Sequence, residues 1–232
     1  MSAQLQNQSN IDVTTNNIQA QSSVQTIKEG FKNPVYDSQS VFRKVLKSMS
    51  EPGVISIINA QLDDKPEPLF SSTYAIALTF FDHDTSIALS NSINNGAVLS
   101  TLRFHCSSPV LSDSQTVDFI LCDESEIPDL NSLKLGTETY PDQSCTVIIE
   151  TQNIEKRGGC TSSSIDTYAL TGAGIEDKHL VSCSAFTASL IKQRESLQKL
   201  FPQGVDLIFT HEDKFFCLPR TTLITKEVSS CM

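Results

Sequence analysis

Three short segments carry residue types able to do chemistry. In LTGAGI, residues 170–175, Gly172 and Gly174 follow an apolar run. Closely spaced glycines at the end of a strand expose backbone N–H groups that an anion can approach. The segment lacks the third glycine and downstream acid of a dinucleotide fingerprint, and no GK[ST] follows. A tight turn after a strand is therefore favoured over a ligand loop as the reading of both glycines. LRFHC, residues 102–106, offers Arg103 and His105: a guanidinium presents a planar fork to a phosphate or phosphonate, and an imidazole donates or shuttles a proton. Both also suit the end of a helix, where the dipole stabilises cations. LPRTT, residues 218–222, repeats the fork in Arg220, beside the hydroxyls of Thr221 and Thr222. The candidate ligand-binding set is thus Arg103, His105, Gly172, Gly174, Arg220 and Thr221, which would serve a nucleotide or phosphonate if they met in one cleft. Arg43 has a simpler reading as the ion-pair partner of a carboxylate such as Glu51.

Other chemistries find no footing. No G-x-S-x-G elbow marks an activated serine. The four histidines and seven cysteines form no dense ligand pair, so no metal site is expected. Asp82, His83 and Asp84 are adjacent, which sends their side chains in different directions and suits a turn that ends a helix. A net charge of -10 argues against nucleic acid or an anionic membrane surface as a partner, because both require a positive face. The start, MSAQLQNQSN, has neither the basic nor the apolar region of an export signal, and no stretch is long enough to span a bilayer. Scattered cysteines without a C-x-x-C pair fit reduced thiols, hence a cytoplasmic setting.

The elements that must position these residues follow from periodicity. Residues 1–27 are rich in Gln, Asn and Ser, and their sparse apolar residues cannot offset the entropy of ordering, so a disordered tail is expected before a single domain over 28–232. Asp37 or Ser38 would cap a first helix. Along it Val41, Phe42, Val45, Leu46 and Met49 would form one apolar face, with Arg43, Lys44 and Lys47 elsewhere, until SEPG stops it. A strand at 54–58, a helix at 69–81, a strand at 85–89 and a helix at 94–105 follow, then strands at 117–122, 146–150 and 167–171. An amphipathic helix over 184–200 precedes strands 205–210 and 215–218, which pair across HEDK. Residues 152–164 read as an exposed loop or mobile hairpin. Alternation of this kind predicts an α/β fold, a mixed sheet covered on both faces.

Taken in order, FRKVLKSMSEPG, TLRFHCSSP, LTGAGI and GVDLIFT followed by LPRTT resemble the motif series of the PhnH family of carbon–phosphorus lyase subunits, from about residue 31 to residue 228. The Gln/Asn/Ser-rich extension, the polar stretch before LTGAGI and the tail ending at Cys231 depart from that pattern. The resemblance implies a three-layer α/β/α domain similar to pyridoxal-phosphate-dependent transferases. No matched segment presents a lysine in a cofactor motif, and Lys44 and Lys47 have a solvated helix reading, so no pyridoxal phosphate or other cofactor is expected. It further implies a homodimer, partners known as PhnG, PhnI, PhnJ and PhnL, and an accessory role in the synthase step that displaces adenine from ATP with an alkylphosphonate. ATP and phosphonate are then substrates of the complex.

Overall fold

The computed structural model describes residues 27–62, 64–156 and 166–227. The expected N-terminal tail up to residue 26, most of the polar stretch before LTGAGI and the tail ending at Cys231 lie outside the described residues.

The first helix, α1, is Pro34–Ser50. Pro34 sits at its first position, where a missing N–H costs nothing. The helix therefore starts earlier than an Asp37 or Ser38 cap would place it; Asp37 lies within the first turn, and its carboxylate accepts from the Asn33 N–H at 3.0 Å. SEPG stops the helix as expected, with Gly53 at φ +80°. The apolar face divides. Val41, Val45 and Ser48 are buried, whereas Phe42 and Leu46 are exposed.

Ser56–Ile57 forms β1, shorter than the expected strand. Ser71–Phe80 is α2 and Ile87–Leu89 is β2. The next helix, α3, spans Gly96–Cys106, capped by Asn95, whose side chain accepts from Ala97 and Val98 N–H. The following strands are β3 (Phe119–Asp123), β4 (Thr146–Glu150), β5 (Ile154–Lys156), β6 (Tyr168–Thr171) and β7 (His179–Cys183). Ala188–Gln198 is α4, capped by Thr187, and β8 (Asp206–His211), β9 (Lys214–Leu218) and β10 (Leu223–Lys226) close the chain. Within the stretch at 152–164, expected as an exposed loop or a mobile hairpin, residues 154–156 form β5, which pairs with β7; β7 and β10 are further strands that the periodicity does not predict.

Six strands form one mixed sheet in the order β1-β9-β8-β4-β3-β2. Strands β2, β3, β4 and β8 run parallel, and β9 returns antiparallel across the HEDK turn. Register explains why these strands read as continuous apolar runs: they are buried on both faces. Leu121, Ile148, Ile208 and Cys217 align across four strands. That row faces the core shared with α1, α2 and α3. The neighbouring row, Cys122, Ile149, Phe209 and Phe216, faces the other core.

The second face differs from the three-layer expectation of helices on both sides. There α4 shares the cover with a four-stranded antiparallel sheet, β10-β6-β7-β5. Phe186 joins the two sheets, with its ring edge-on to Tyr168 at 5.2 Å, Phe209 at 5.3 Å and Phe216 at 6.0 Å. The five described cysteines are unpaired and buried. Burial pushes the thiols of Cys106, Cys145, Cys183 and Cys217 up to about 12.

Candidate functional site

Three of the four motifs meet where the end of α1 reaches the edge of the small sheet. Ser48 Oγ accepts from the Cys217 N–H at 3.0 Å, and the Gly53 N–H donates to Cys217 O at 3.2 Å. The Pro52 carbonyl accepts from His179 Nδ1 at 2.7 Å, which places a proton on that nitrogen. The LTGAGI turn lies against this corner. A Cβ on Gly174 would stand 2.1 Å from Ser50 O, and one on Gly172 would stand 2.8 Å from Thr221 O. Both glycines also have positive φ, at +83° and +130°. Their absence of side chains is what lets SEPG, LTGAGI and PRTT pack backbone against backbone.

Arg220 is the polar centre of this junction. Its guanidinium donates to Asp206 Oδ2 at 2.5 Å, Ser144 Oγ at 2.6 Å and Pro141 O at 2.6 Å, while its own N–H donates to Asp206 Oδ1 at 2.7 Å. The fork is fully engaged within the chain. Arg194 lies beneath it, its two terminal nitrogens engaged and its Nε buried without a hydrogen-bond partner among the described residues. It is 3% exposed and donates to Val205 O at 2.9 Å, Pro219 O at 2.6 Å and Thr222 O at 3.2 Å, so two arginines hold both ends of LPRTT. Burial lowers the Arg194 pKa to about 10, with Asp206 opposing that fall and Arg220 adding to it. A cavity of about 260 Å³ opens between them, lined by Leu197, Phe201, Gly204 and Leu223 as well as the two arginines.

LRFHC stands apart. Its helix packs on the opposite face of the main sheet, and Arg103 makes no polar side-chain contact among the described residues. His105 ties down the chain that precedes α1: Nε2 donates to Lys28 O at 2.8 Å, and the ring lies against Gly30, where a Cβ would stand 3.0 Å away. With Thr101, which accepts from the Lys28 N–H at 3.2 Å, it straps residues 27–31 over α3. The structure therefore brings Gly172, Gly174, Arg220 and Thr221 together and leaves Arg103 and His105 elsewhere.

Two buried ionisable groups went unnoticed in the sequence. Arg194 carries a signal, since Leu190, Arg194 and Leu197 share one helical stripe and that stripe is the buried one. Glu150, ending the apolar run TVIIE, lies at the carboxyl ends of the parallel strands and accepts from the Phe70 N–H at 2.6 Å, at the start of α2. Burial holds its pKa above the ordinary 4.5, against the lowering effects of Thr73, the Phe70 N–H and Lys65. Thr73 Oγ1 and Thr210 Oγ1 meet beside it at 2.8 Å. Among the described residues no group of three or more His, Cys, Asp or Glu is placed to hold a metal ion, and no helix is long and apolar enough to cross a membrane.

A mixed-sheet α/β protein, with its sequence signatures concentrated in one interlocked junction of loops, is the class this fold and site define. The chain belongs to the PhnH family: the family model described as bacterial phosphonate metabolism protein (PhnH) matches residues 29–225. It is 29% identical over 198 residues to the alpha-D-ribose 1-methylphosphonate 5-triphosphate synthase subunit PhnH of Rhizobium meliloti (strain 1021), covering 85% of this chain and 94% of that protein. It is also 26% identical over 186 residues to the putative C-P lyase subunit protein HtxG of Stutzerimonas stutzeri, covering 80% and 85%.

Proposed function

We propose that this chain is an accessory, non-catalytic subunit of the carbon–phosphorus lyase system in phosphonate catabolism, required with partner subunits for alpha-D-ribose 1-methylphosphonate 5-triphosphate synthase. The relative from Rhizobium meliloti, a named subunit of that synthase, matches nearly end to end and supports the reading. The observation that carries it is the use of Arg220: every direction of its fork is taken by Asp206, Ser144 and Pro141. A phosphate or phosphonate would have to displace a partner from each. On this reading the chain works in the cytoplasm as a homodimer that docks on PhnG, PhnI, PhnJ and PhnL, without pyridoxal phosphate. Lys44 supports the last point, because its amine donates to Ile57 O at 2.7 Å. Incubation with pyridoxal phosphate should give no lysine-dependent absorbance.

The alternative is a subunit with its own nucleotide- or phosphonate-binding cleft, which convergence of the candidate residues would favour; Gly172, Gly174, Arg220 and Thr221 lie at the junction, and Arg103 and His105 lie on α3. Copurification decides the main reading: the tagged chain should retain companion subunits from co-expression, and failure to retain any under conditions where they assemble would sink it. Calorimetric titration of the isolated chain with ATP and with methylphosphonate should show no saturable heat. Saturable binding abolished by Arg103→Ala would establish the cleft instead.

A further inference from the structure

Helix α1 carries two apolar lines, and the fold uses only one. Val41, Val45 and Ser48 face the core. Val35, Phe42 and Leu46 form the second line, spaced i, i+7 and i+11, and are 76%, 47% and 59% exposed. Gln39 and the partly buried Met49 complete the same stripe at the intervening and following positions. This is the 3.5-residue spacing with which helices pack along one another. From Val35 to Leu46 the seam runs about 16 Å, roughly three turns. Its middle is held in place, because the Phe42 ring lies 5.7 Å from Phe80, which in turn lies 6.5 Å from the partly buried Phe119. Large apolar side chains left exposed along one stripe of a helix, with only Gln39 between Val35 and Phe42, mark an interaction surface.

The flank of the seam indicates what covers it. Arg43 and Lys47 stand one turn apart along the same edge. Arg43 has no polar side-chain partner among the described residues, and Lys47 reaches only Glu51, at 3.9 Å. A basic edge of this kind, on a chain of net charge -10, is electrostatically unlike the rest of the molecule. A second copy is a poor occupant: two such helices in antiparallel two-fold contact would set Arg43 and Lys47 against the same residues of their partner.

We propose that the Val35–Phe42–Leu46 seam docks an amphipathic helix of a companion subunit, one whose apolar stripe is edged by Asp or Glu facing Arg43 and Lys47. This rests on the reading of the chain as a subunit of a larger assembly. The full chain is co-expressed with PhnG, PhnI, PhnJ and PhnL, and the affinity of the purified chain for the assembled companions is measured as a function of salt. Val35→Asp with Leu46→Asp changes only exposed positions; it should weaken assembly at least tenfold while the melting temperature stays unchanged. Arg43→Glu with Lys47→Glu should weaken it several-fold and flatten its salt dependence. A photo-crosslinking amino acid in place of Leu46 should capture a companion subunit at an acidic-edged helix. Capture of a second copy, or of this chain's own first 26 residues, would overturn the proposal, as would full-strength assembly by the Val35→Asp, Leu46→Asp variant. If the wild-type chain binds no companion at all, the subunit reading itself fails and the proposal with it. That outcome is distinct from assembly that ignores the seam.

Discussion

The motif residues of this chain act first on its own backbone. Arg220 is a mostly buried guanidinium paired with a mostly buried carboxylate, their side chains 16% and 21% exposed. Truncating the side chain leaves Asp206 with only the backbone N–H of residue 220 in place of the guanidinium, together with stranded acceptors at Pro141 and Ser144. Arg220→Ala should therefore cost about 3–5 kcal/mol of stability, read as a lower urea midpoint. Arg220→Lys should recover only part of it, because one ammonium cannot reproduce a fork with three acceptors. Glu150 gives a pH signature. A carboxyl whose folded-state pKa lies above its unfolded value holds its proton more tightly when folded. Its contribution is then fully present below the ordinary 4.5 and is lost as the pH rises through the raised value. Glu150→Gln keeps an acceptor for the Phe70 N–H but removes the buried charge. The variant should melt at a higher temperature than wild type at pH 8, and that gap should close as the pH falls toward 4. A gap that widens on acidification would show that the hydrogen bonds to the carboxylate outweigh its burial.

At the scale of elements, the main sheet is the template and the small sheet is fastened to it at few points. Phe186 is the chief fastener, touching Tyr168 on one sheet and Phe209 and Phe216 on the other. Phe186→Ala should cost about 3–5 kcal/mol, as deletion of a buried ring does. It should also raise amide exchange in β6, β7 and β10 more than in β3 and β4. Periodicity placed the four α-helices, β6 and the strands of the main sheet within a few residues. TVIIE, for example, needed only β-branched residues and a charged end to be read as a strand. It missed β5, β7 and β10, three of the four strands of the small sheet: the three residues IEK of β5 carry one apolar side chain and owe their strand geometry to pairing with Val181, Ser182 and Cys183 of β7. It also merged the two lines of α1. Phe42 and Val45 are equally apolar, and only the position of the neighbouring strand decides which of them is covered.

For the whole molecule, the two hydrophobic cores share one set of strands. Ile148 belongs to the first and Ile149 to the second, so neither core can be lost without opening the same backbone. We accordingly expect residues 28–232 to unfold as a single domain. Calorimetry should give one transition with equal calorimetric and van't Hoff enthalpies; two resolved transitions would contradict this. Docking at α1 would add a third apolar surface outside both cores. Its loss should reduce assembly without moving that transition.

The family, the α/β class, the mixed sheet and the end of α1 at SEPG were legible before any coordinates, because each depends on order along the chain: motif succession, strand-like runs, a proline before a glycine. The sequence also singled out Gly172, Gly174 and Arg220 as residues that must have a reason to be there. What each of them touches is visible in the folded chain alone. Whether a guanidinium fork meets a ligand or Asp206, and whether a glycine admits an anion or the backbone of Ser50, depends on what the fold brings within 3 Å from a distant part of the chain. Local spacing holds no information about that distance. The same limit left Arg103 and Arg220 alike as sequences and opposite as structures: one stands open on a helix end, the other is closed inside a junction.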